Sequence, residues 1–206
     1  MHVLMINGSP RKNGCTFTAL SEVAGQLEKA GISVEIFQLG TEPVQGCTAC
    51  RKCAKTGYCA FDANNVNRCV DLLEAADGLV VGSPVYYAGP TGAVCALLDR
   101  LFYNKQHKYA FKPAAAVGSC RRAGSVTAFD RLNKYFTIAQ MPVVSSQYWN
   151  GVFGNTPEEV RQDLEGMQTM RTLGNNMAWL IRCIDAAKPS VPYPEQEERA
   201  RTSFIR

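Results

Sequence analysis

Val3-Leu4-Met5-Ile6, then Asn7-Gly8-Ser9-Pro10-Arg11-Lys12-Asn13-Gly14, then Cys15 to about Ala30 follow one another without a break, and their order decides the fold. The four apolar residues, stopped by a turn-forming run, read as a short buried strand. The third stretch carries Leu20, Val23 and Leu27 along one helical stripe, with Gly31 as its stop. The same alternation continues down the chain. Ile32 to Leu39 alternates as a strand does, Gly40 to Ala63 keeps no period, and Asn64 to Ala76 puts Val66, Val70 and Leu73 on one helical face. Gly78-Leu79-Val80-Val81-Gly82 and Ala114-Ala115-Ala116-Val117-Gly118 are further buried strands, followed by helices predicted over Thr91–Phe102 and Gly124–Phe136. Met141-Pro142-Val143-Val144 is expected to be the last strand. Thr156-Pro157-Glu158-Glu159 then supplies a capping hydroxyl, a proline at the first helical position and a closing glutamate for a helix running to about Cys183.

Strands alternating with amphipathic helices imply right-handed crossovers and a parallel sheet covered on both faces. The expectation is an α/β fold, a flavodoxin-like three-layer sandwich whose five-stranded parallel sheet has the order 2-1-3-4-5. No internal repeat or linker divides the chain. Residues 1–185 are expected to form one domain that includes a cysteine-rich loop at 46–60, and 186–206 a C-terminal arm punctuated by Pro189, Pro192 and Pro194.

Composition narrows the class. Among 206 residues, 46% are apolar and 19% charged, which is ordinary globular usage. No apolar run approaches the ~20 residues of a membrane helix. The N-terminus lacks a basic segment before its apolar stretch and does not read as a signal peptide, so a cytoplasmic protein is expected. A net charge of +4 is too small to argue for nucleic acid. The basic residues Arg100, Lys105, Lys108, Lys112, Arg121, Arg122, Arg131 and Lys134 cluster against the single acid Asp130 within 100–134, and read either as a solvated face or as an anion-binding surface. His2 and His107 read as surface groups, and Trp149 and the methionines as core or subunit packing.

In open sheets of this kind, ligands bind beyond the carboxyl ends of the strands, where the strand order reverses. Three loops fall there: 7–17, 83–90 and 118–124. The first joins a buried strand to a helix N-terminus, whose unpaired N–H groups suit a phosphate. Ser9 and Thr16 add hydroxyls, Arg11 a planar charged fork, and Gly8 and Gly14 close backbone approach. Neither a Walker loop nor a dinucleotide Gly-x-Gly-x-x-Gly is present, and the alternative is an ordinary turn with solvent-facing charges. Ser83-Pro84-Val85-Tyr86-Tyr87-Ala88-Gly89-Pro90 is stiff and aromatic; its tyrosines pack beside a flat ring or cap the core edge. Gly118-Ser119-Cys120-Arg121-Arg122-Ala123-Gly124 again offers small residues, amides and guanidinium groups. One phosphate loop and two loops that can frame a planar ring describe a mononucleotide such as FMN. The candidate cofactor-binding residues are Ser9, Arg11, Gly14, Cys15, Thr16, Phe17, Pro84, Val85, Tyr86, Tyr87, Gly89, Ser119, Arg121 and Gly124.

Nine cysteines are many for a reducing compartment and too sparse for a disulfide scaffold. Cys47, Cys50, Cys53 and Cys59 fall together, whereas Cys15, Cys69, Cys95, Cys120 and Cys183 are scattered. Three cysteines at x2 spacing with a fourth nearby point to a [4Fe–4S] cluster. Four-thiolate zinc and an empty loop are the alternatives. Arg51, Lys52 and Lys55 would lower the thiol pKa values and offset an anionic cluster.

Gly8-Ser9-Pro10-Arg11-Lys12, Gly46-Cys47-Thr48-Ala49-Cys50, Ala76-Asp77-Gly78 and Ser83-Pro84-Val85-Tyr86 resemble the iron–sulfur flavoproteins, within the flavodoxin-like NADPH-dependent FMN reductase family. The resemblance spans roughly residues 1–180. It implies bound FMN, homodimers or homotetramers and electron transfer between NAD(P)H or ferredoxin and a small-molecule acceptor. By position, Ser9, Arg11 and Thr16 would hold the FMN phosphate, and Pro84 to Tyr87 the ring. Two positions depart from the family's pattern: Cys15 stands where relatives often have Asn, and Asp62 is followed by Ala63 where a second Asp is common. A cluster-free FMN or quinone reductase is the competing enzyme, and a flavodoxin-like electron carrier or a zinc-stabilised binding module the competing non-enzymes. The flavin carries the chemistry in this reading, so no general acid or base is assigned.

Overall fold

Val3, Leu4, Met5 and Ile6 are all wholly buried, as a strand covered on both faces requires. In the computed structural model they form the middle of β1 (His2–Asn7), with β2 (Ser33–Gln38) on one side and β3 (Gly78–Tyr86) on the other, both parallel to it. The structure describes the chain apart from residues 63, 64, 199, 201, 203, 205 and 206 and the side chains of 104–107. The helix start expected at Asn64 and the ring of His107 lie outside the described residues.

β5 (Ala114–Cys120) pairs with β3, and β6 (Gly151–Phe153) with β5, again in parallel. The order β2-β1-β3-β5-β6 is the expected one. β4 (Gly89–Pro90) folds back on the end of β3 as a short antiparallel partner. α1 (Cys15–Lys29) and α7 (Leu164–Ala187) cover one face of the sheet. α3 (Val66–Ala75), α4 (Gly92–Lys105) and α5 (Ser125–Ile138) cover the other, and the core is correspondingly double. Two short helices complete the chain, α2 (Cys53–Thr56) in the cysteine loop and α6 (Pro157–Gln162) before α7. Among the described residues no helix is long and apolar enough to cross a membrane.

Two expectations need correction. The last strand is split. Around Pro142 and Val143 the chain makes only one isolated bridge, to Ala114, then leaves the sheet over 145–149 and rejoins it at Gly151–Phe153. Proline has no N–H to continue a ladder. Ser146 holds the excursion, its Oγ within hydrogen-bonding distance of both the Tyr148 carbonyl and Asn150 Oδ1. The long C-terminal helix is also two helices. Asp163 leaves the helical conformation and its carboxylate accepts from the Gly166 and Phe153 amides, starting α7 and tying it to β6. The expected cap is present: Thr156 Oγ1 accepts from Glu159 N, and Glu159 returns a carboxylate to Asn155 N.

Candidate functional site

The first loop is organised from beneath by a buried amide. Asn7, wholly buried at the end of β1, donates from Nδ2 to Gln38 Oε1 and to the Lys12 carbonyl, and its Oδ1 accepts from Ser9 N. Gln38 in turn donates to the Ser9 carbonyl at 2.8 Å. This hydrogen-bonded frame holds Ser9 buried while Arg11 and Lys12 remain exposed. Gly14 caps α1 with no side-chain hydrogen bond and no acid follows in the first turn. The leading amides of this 15-residue helix are therefore left to an anion. Ser9 Oγ accepts from Arg11 N at 3.1 Å and keeps its own proton to give. Cys15 turns away, its thiol donating to the Gly154 carbonyl, and burial pushes that thiol up. Phe17 is half-buried.

The other two loops are brought against the first. Thr16 Oγ1 and Ser119 Oγ, both buried, share a hydrogen bond of 2.7 Å, and one hydroxyl proton of the pair remains to donate elsewhere. Thr91 Oγ1 donates to the Gly8 carbonyl, and Gly8 N to the Gly82 carbonyl. Gly8 admits this approach because it has no side chain: a Cβ there would lie 2.8 Å from the Gly82 oxygen. Tyr87 and Ala88 both take left-handed conformations, and Tyr87 is fully exposed. A side chain held at positive φ without burial is strain of the kind found at ligand clamps. Pro84, Val85 and Gly89 are half-buried beside it, Gly124 faces Ala88, and Arg121 is exposed at the rim.

Two hollows flank these loops. One of about 610 Å³ runs from Gly8 and Pro10 past residues 40–44 to Tyr86. The other, about 340 Å³, lies beyond the third loop between Arg122, Gly124, Tyr148 and Trp149. Trp149 is exposed, contrary to a core role, whereas Met5, Met141, Met167, Met170 and Met177 are buried as expected.

The cysteine run lies at the same edge, after β2. Cys47, Cys50, Cys53 and Cys59 all line one small hollow, with Arg51, Phe61, Arg100 and Tyr103. Among the described residues no acidic side chain lines it. Ala49 and Arg51 adopt left-handed conformations on either side of Cys50, curling the loop, and Ala49 N donates to Cys47 Sγ at 3.4 Å. Such inward amides favour anionic sulfur. Cys59 is the anchored member: its amide and carbonyl are both held by the Asn67 side chain, and its sulfur accepts from Arg100 Nη2 at 3.3 Å. Burial pushes the Cys53 thiol up, and Cys59, Cys47 and Cys50 push it further, as crowded thiols do without a cation between them. Among the described residues no three His, Cys, Asp or Glu side chains are gathered at the spacing of a bound metal ion. The hollow measures about 20 Å³, so a four-iron core would spread the loop, of whose four cysteines Cys47 and Cys50 are exposed. In donor chemistry and charge the residues fit an anionic metal–thiolate group.

The basic segment 100–134 is not one surface. Arg100 is buried, Lys112 donates to the carbonyls of Leu73, Glu74 and Ala76 at the end of α3, and Arg131 pairs with Asp99. Arg121 and Arg122 remain exposed.

The family model for NADPH-dependent FMN reductases matches residues 1–156, which contain all three loops and the cysteine run. The chain belongs to that family. It is a flavin-dependent oxidoreductase, and FMN is its cofactor. An iron–sulfur flavoprotein of Methanocaldococcus jannaschii is 30% identical over 192 residues, covering 89% of this chain and 99% of that protein. The iron–sulfur flavoprotein of Methanosarcina thermophila is 26% identical over 189 residues, covering 89% and 97%. Among solved structures, RosB with bound 8-demethyl-8-formylriboflavin-5'-phosphate matches with a TM-score of 0.69 at 15% identity, over 100% of this chain and 94% of that one, a likeness of fold.

Several residues of this FMN reductase relative escape a reading by motif. Asn7 and Gln38 brace the first loop from the ends of β1 and β2, Thr91 braces it from just before α4, and Arg100 reaches the cysteines from a helix 41 positions beyond Cys59. Only the buried polar character of Asn7, next to a turn, was available as a signal.

Proposed function

We propose that this protein is an iron–sulfur flavoprotein that passes electrons between NAD(P)H or a ferredoxin and a small-molecule acceptor, with FMN over the three loops and a [4Fe–4S] cluster at Cys47, Cys50, Cys53 and Cys59. The observation that carries this reading is the convergence of four thiols on one hollow free of acids, at the sheet edge that also presents the uncapped N-terminus of α1. FMN supplies the hydride and single-electron chemistry when bound. The first-turn amides of α1 with Ser9, Arg11, Gly14, Thr16 and Phe17 hold the phosphate, with Cys15 behind them. Pro84, Val85, Tyr86, Tyr87 and Gly89, together with Ser119, Arg121 and Gly124, would hold the ring. Residues 1–185 form the FMN-binding unit and 186–206 an arm. The protein works in the cytoplasm as a homodimer or homotetramer.

The test is the metal content of anaerobically purified protein. About four irons and four labile sulfides per chain are expected beside FMN. Replacing any one of Cys47, Cys50, Cys53 or Cys59 by Ser should remove the iron and leave the flavin, whereas Cys15→Ser, Cys69→Ser and Cys183→Ser should keep both. Full FMN with no iron, or one zinc per chain, returns the protein to a cluster-free FMN or quinone reductase.

A further inference from the structure

Arg100 is a charged side chain on α4 that is only 4% exposed. A guanidinium does not give up its proton in a protein, so its charge is buried with it. Its polar contacts are few. Nη1 donates to the Gln45 carbonyl and Nη2 to Cys59 Sγ, each at 3.3 Å. Among the described residues no carboxylate forms a salt bridge with it, whereas Arg68, Lys108, Arg131, Arg161, Arg171 and Lys188 all have acidic partners. A carbonyl and a neutral thiol do not balance a buried positive charge, and such charges persist where an opposite charge is close by. Among the described residues, the hollow in front of Arg100 is lined by four thiols and by no acid. Among the described residues lining the hollow, sulfur is the group placed to supply the missing negative charge.

We propose that Arg100 is the internal counter-ion of the four-cysteine site, a positioning residue that clamps both ends of the loop and sets the site's reduction potential. This rests on the cluster assigned above. The clamp follows from its two contacts, since Gln45 precedes the first cysteine and Cys59 is the last. The electrical role follows from charge. Four thiolates around a cubane core of two positive charges leave two negative charges overall, and uptake of one electron makes three. A fixed cation within hydrogen-bonding distance of one ligand sulfur favours the more negative state. Arg100 thus raises the potential of a site otherwise placed in the exposed loop, where Arg51 is the other cation at the hollow.

The experiment uses anaerobically reconstituted full-length protein and the variants Arg100→Gln and Arg100→Lys, with FMN content as the check on folding. Iron and sulfide are counted, and the fraction reduced at fixed poised potentials is read from the paramagnetic signal. Arg100→Gln should keep FMN and shift the oxidised-to-reduced ratio about tenfold toward the oxidised form, equivalent to 59 mV for a one-electron couple. Arg100→Lys, which keeps the charge, should restore most of that shift. Should Arg100→Gln fail to hold iron, recovery of iron in Arg100→Lys supports the counter-ion, and loss in both variants with FMN intact overturns it in favour of packing alone. An Arg100→Gln cluster that titrates with the wild type also overturns it, leaving the cluster standing. Wild-type protein that takes up no iron overturns the cluster and this role together.

Discussion

Thr16 and Ser119, 103 positions apart, share a hydroxyl–hydroxyl hydrogen bond of 2.7 Å that locks the first loop to the third. Both are buried, and the pair has one proton more than its mutual bond uses. Thr16→Val keeps the shape, breaks that lock and takes the Thr16 hydroxyl from the first loop, leaving Ser119 with its own proton but no partner to position it. FMN affinity should fall by about 1–2 kcal/mol, the scale of a lost bond to a charged group with partial compensation, with only a small loss of Tm. Calorimetric titration of apoprotein measures it, and unchanged affinity places Thr16 outside the phosphate site.

Arg11 is exposed beside the uncapped helix, its amide donating to Ser9 Oγ and its carbonyl accepting from Gly14 N. Arg11→Ala should weaken FMN by about 1.5–3 kcal/mol and leave riboflavin nearly unchanged, because only FMN carries the phosphate. Equal losses for the two ligands would remove Arg11 from the phosphate.

Two glycines should respond in opposite directions to the same substitution. Gly124 has φ of +86°, and a Cβ there would lie 2.9 Å from Ala88 Cα. Gly124→Ala should destabilise by about 1–3 kcal/mol and displace the tyrosine loop, lowering flavin affinity as well. Gly25 sits inside α1 with nothing within 4 Å of an added Cβ. Gly25→Ala should stabilise by about 0.5–1 kcal/mol without touching flavin affinity. Urea unfolding with and without FMN separates the two.

Cys69 is buried in the α3 face of the core, and burial pushes its thiol up to about 12. The unfolded thiol titrates near 9, so the neutral form is favoured by folding. That contribution is fully present below pH 9 and is lost as pH rises from 9 towards 12. Cys69→Ala should lower Tm at pH 7 through its cavity, yet flatten the fall of Tm across the alkaline range relative to wild type. Parallel alkaline slopes in thermal melts would show that Cys69 does not couple to folding this way.

The parts of the fold legible in the chain are those set by short-range pattern. Val3 to Ile6 and Ala114 to Val117 could only be strands covered on both faces, and Gly8 to Gly14 between a strand and a helix could only be a loop at the carboxyl edge. The last strand misled, because Met141 to Val144 has the right apolar character while Pro142 withholds the amide a ladder needs. Asp163 misled in the other direction: an apolar period runs through it, and its capping role depends on the Phe153 amide being near. Arg100 reads from its neighbours as one more solvated or anion-binding charge, because nothing local distinguishes a buried arginine from an exposed one.

The sequence by itself determined the order of strands and helices, the three loops and the four clustered cysteines, since hydrophobic period, turn residues and spacing are all local properties of the chain. Tertiary structure alone decided that Gln38 and Asn7 brace Ser9, that Ser119 meets Thr16, and that Arg100 faces Cys59. Those pairs are joined by strand register and helix packing over tens of residues, and a side chain's charge or hydroxyl gains its role only when the fold has removed water and set one specific partner within reach.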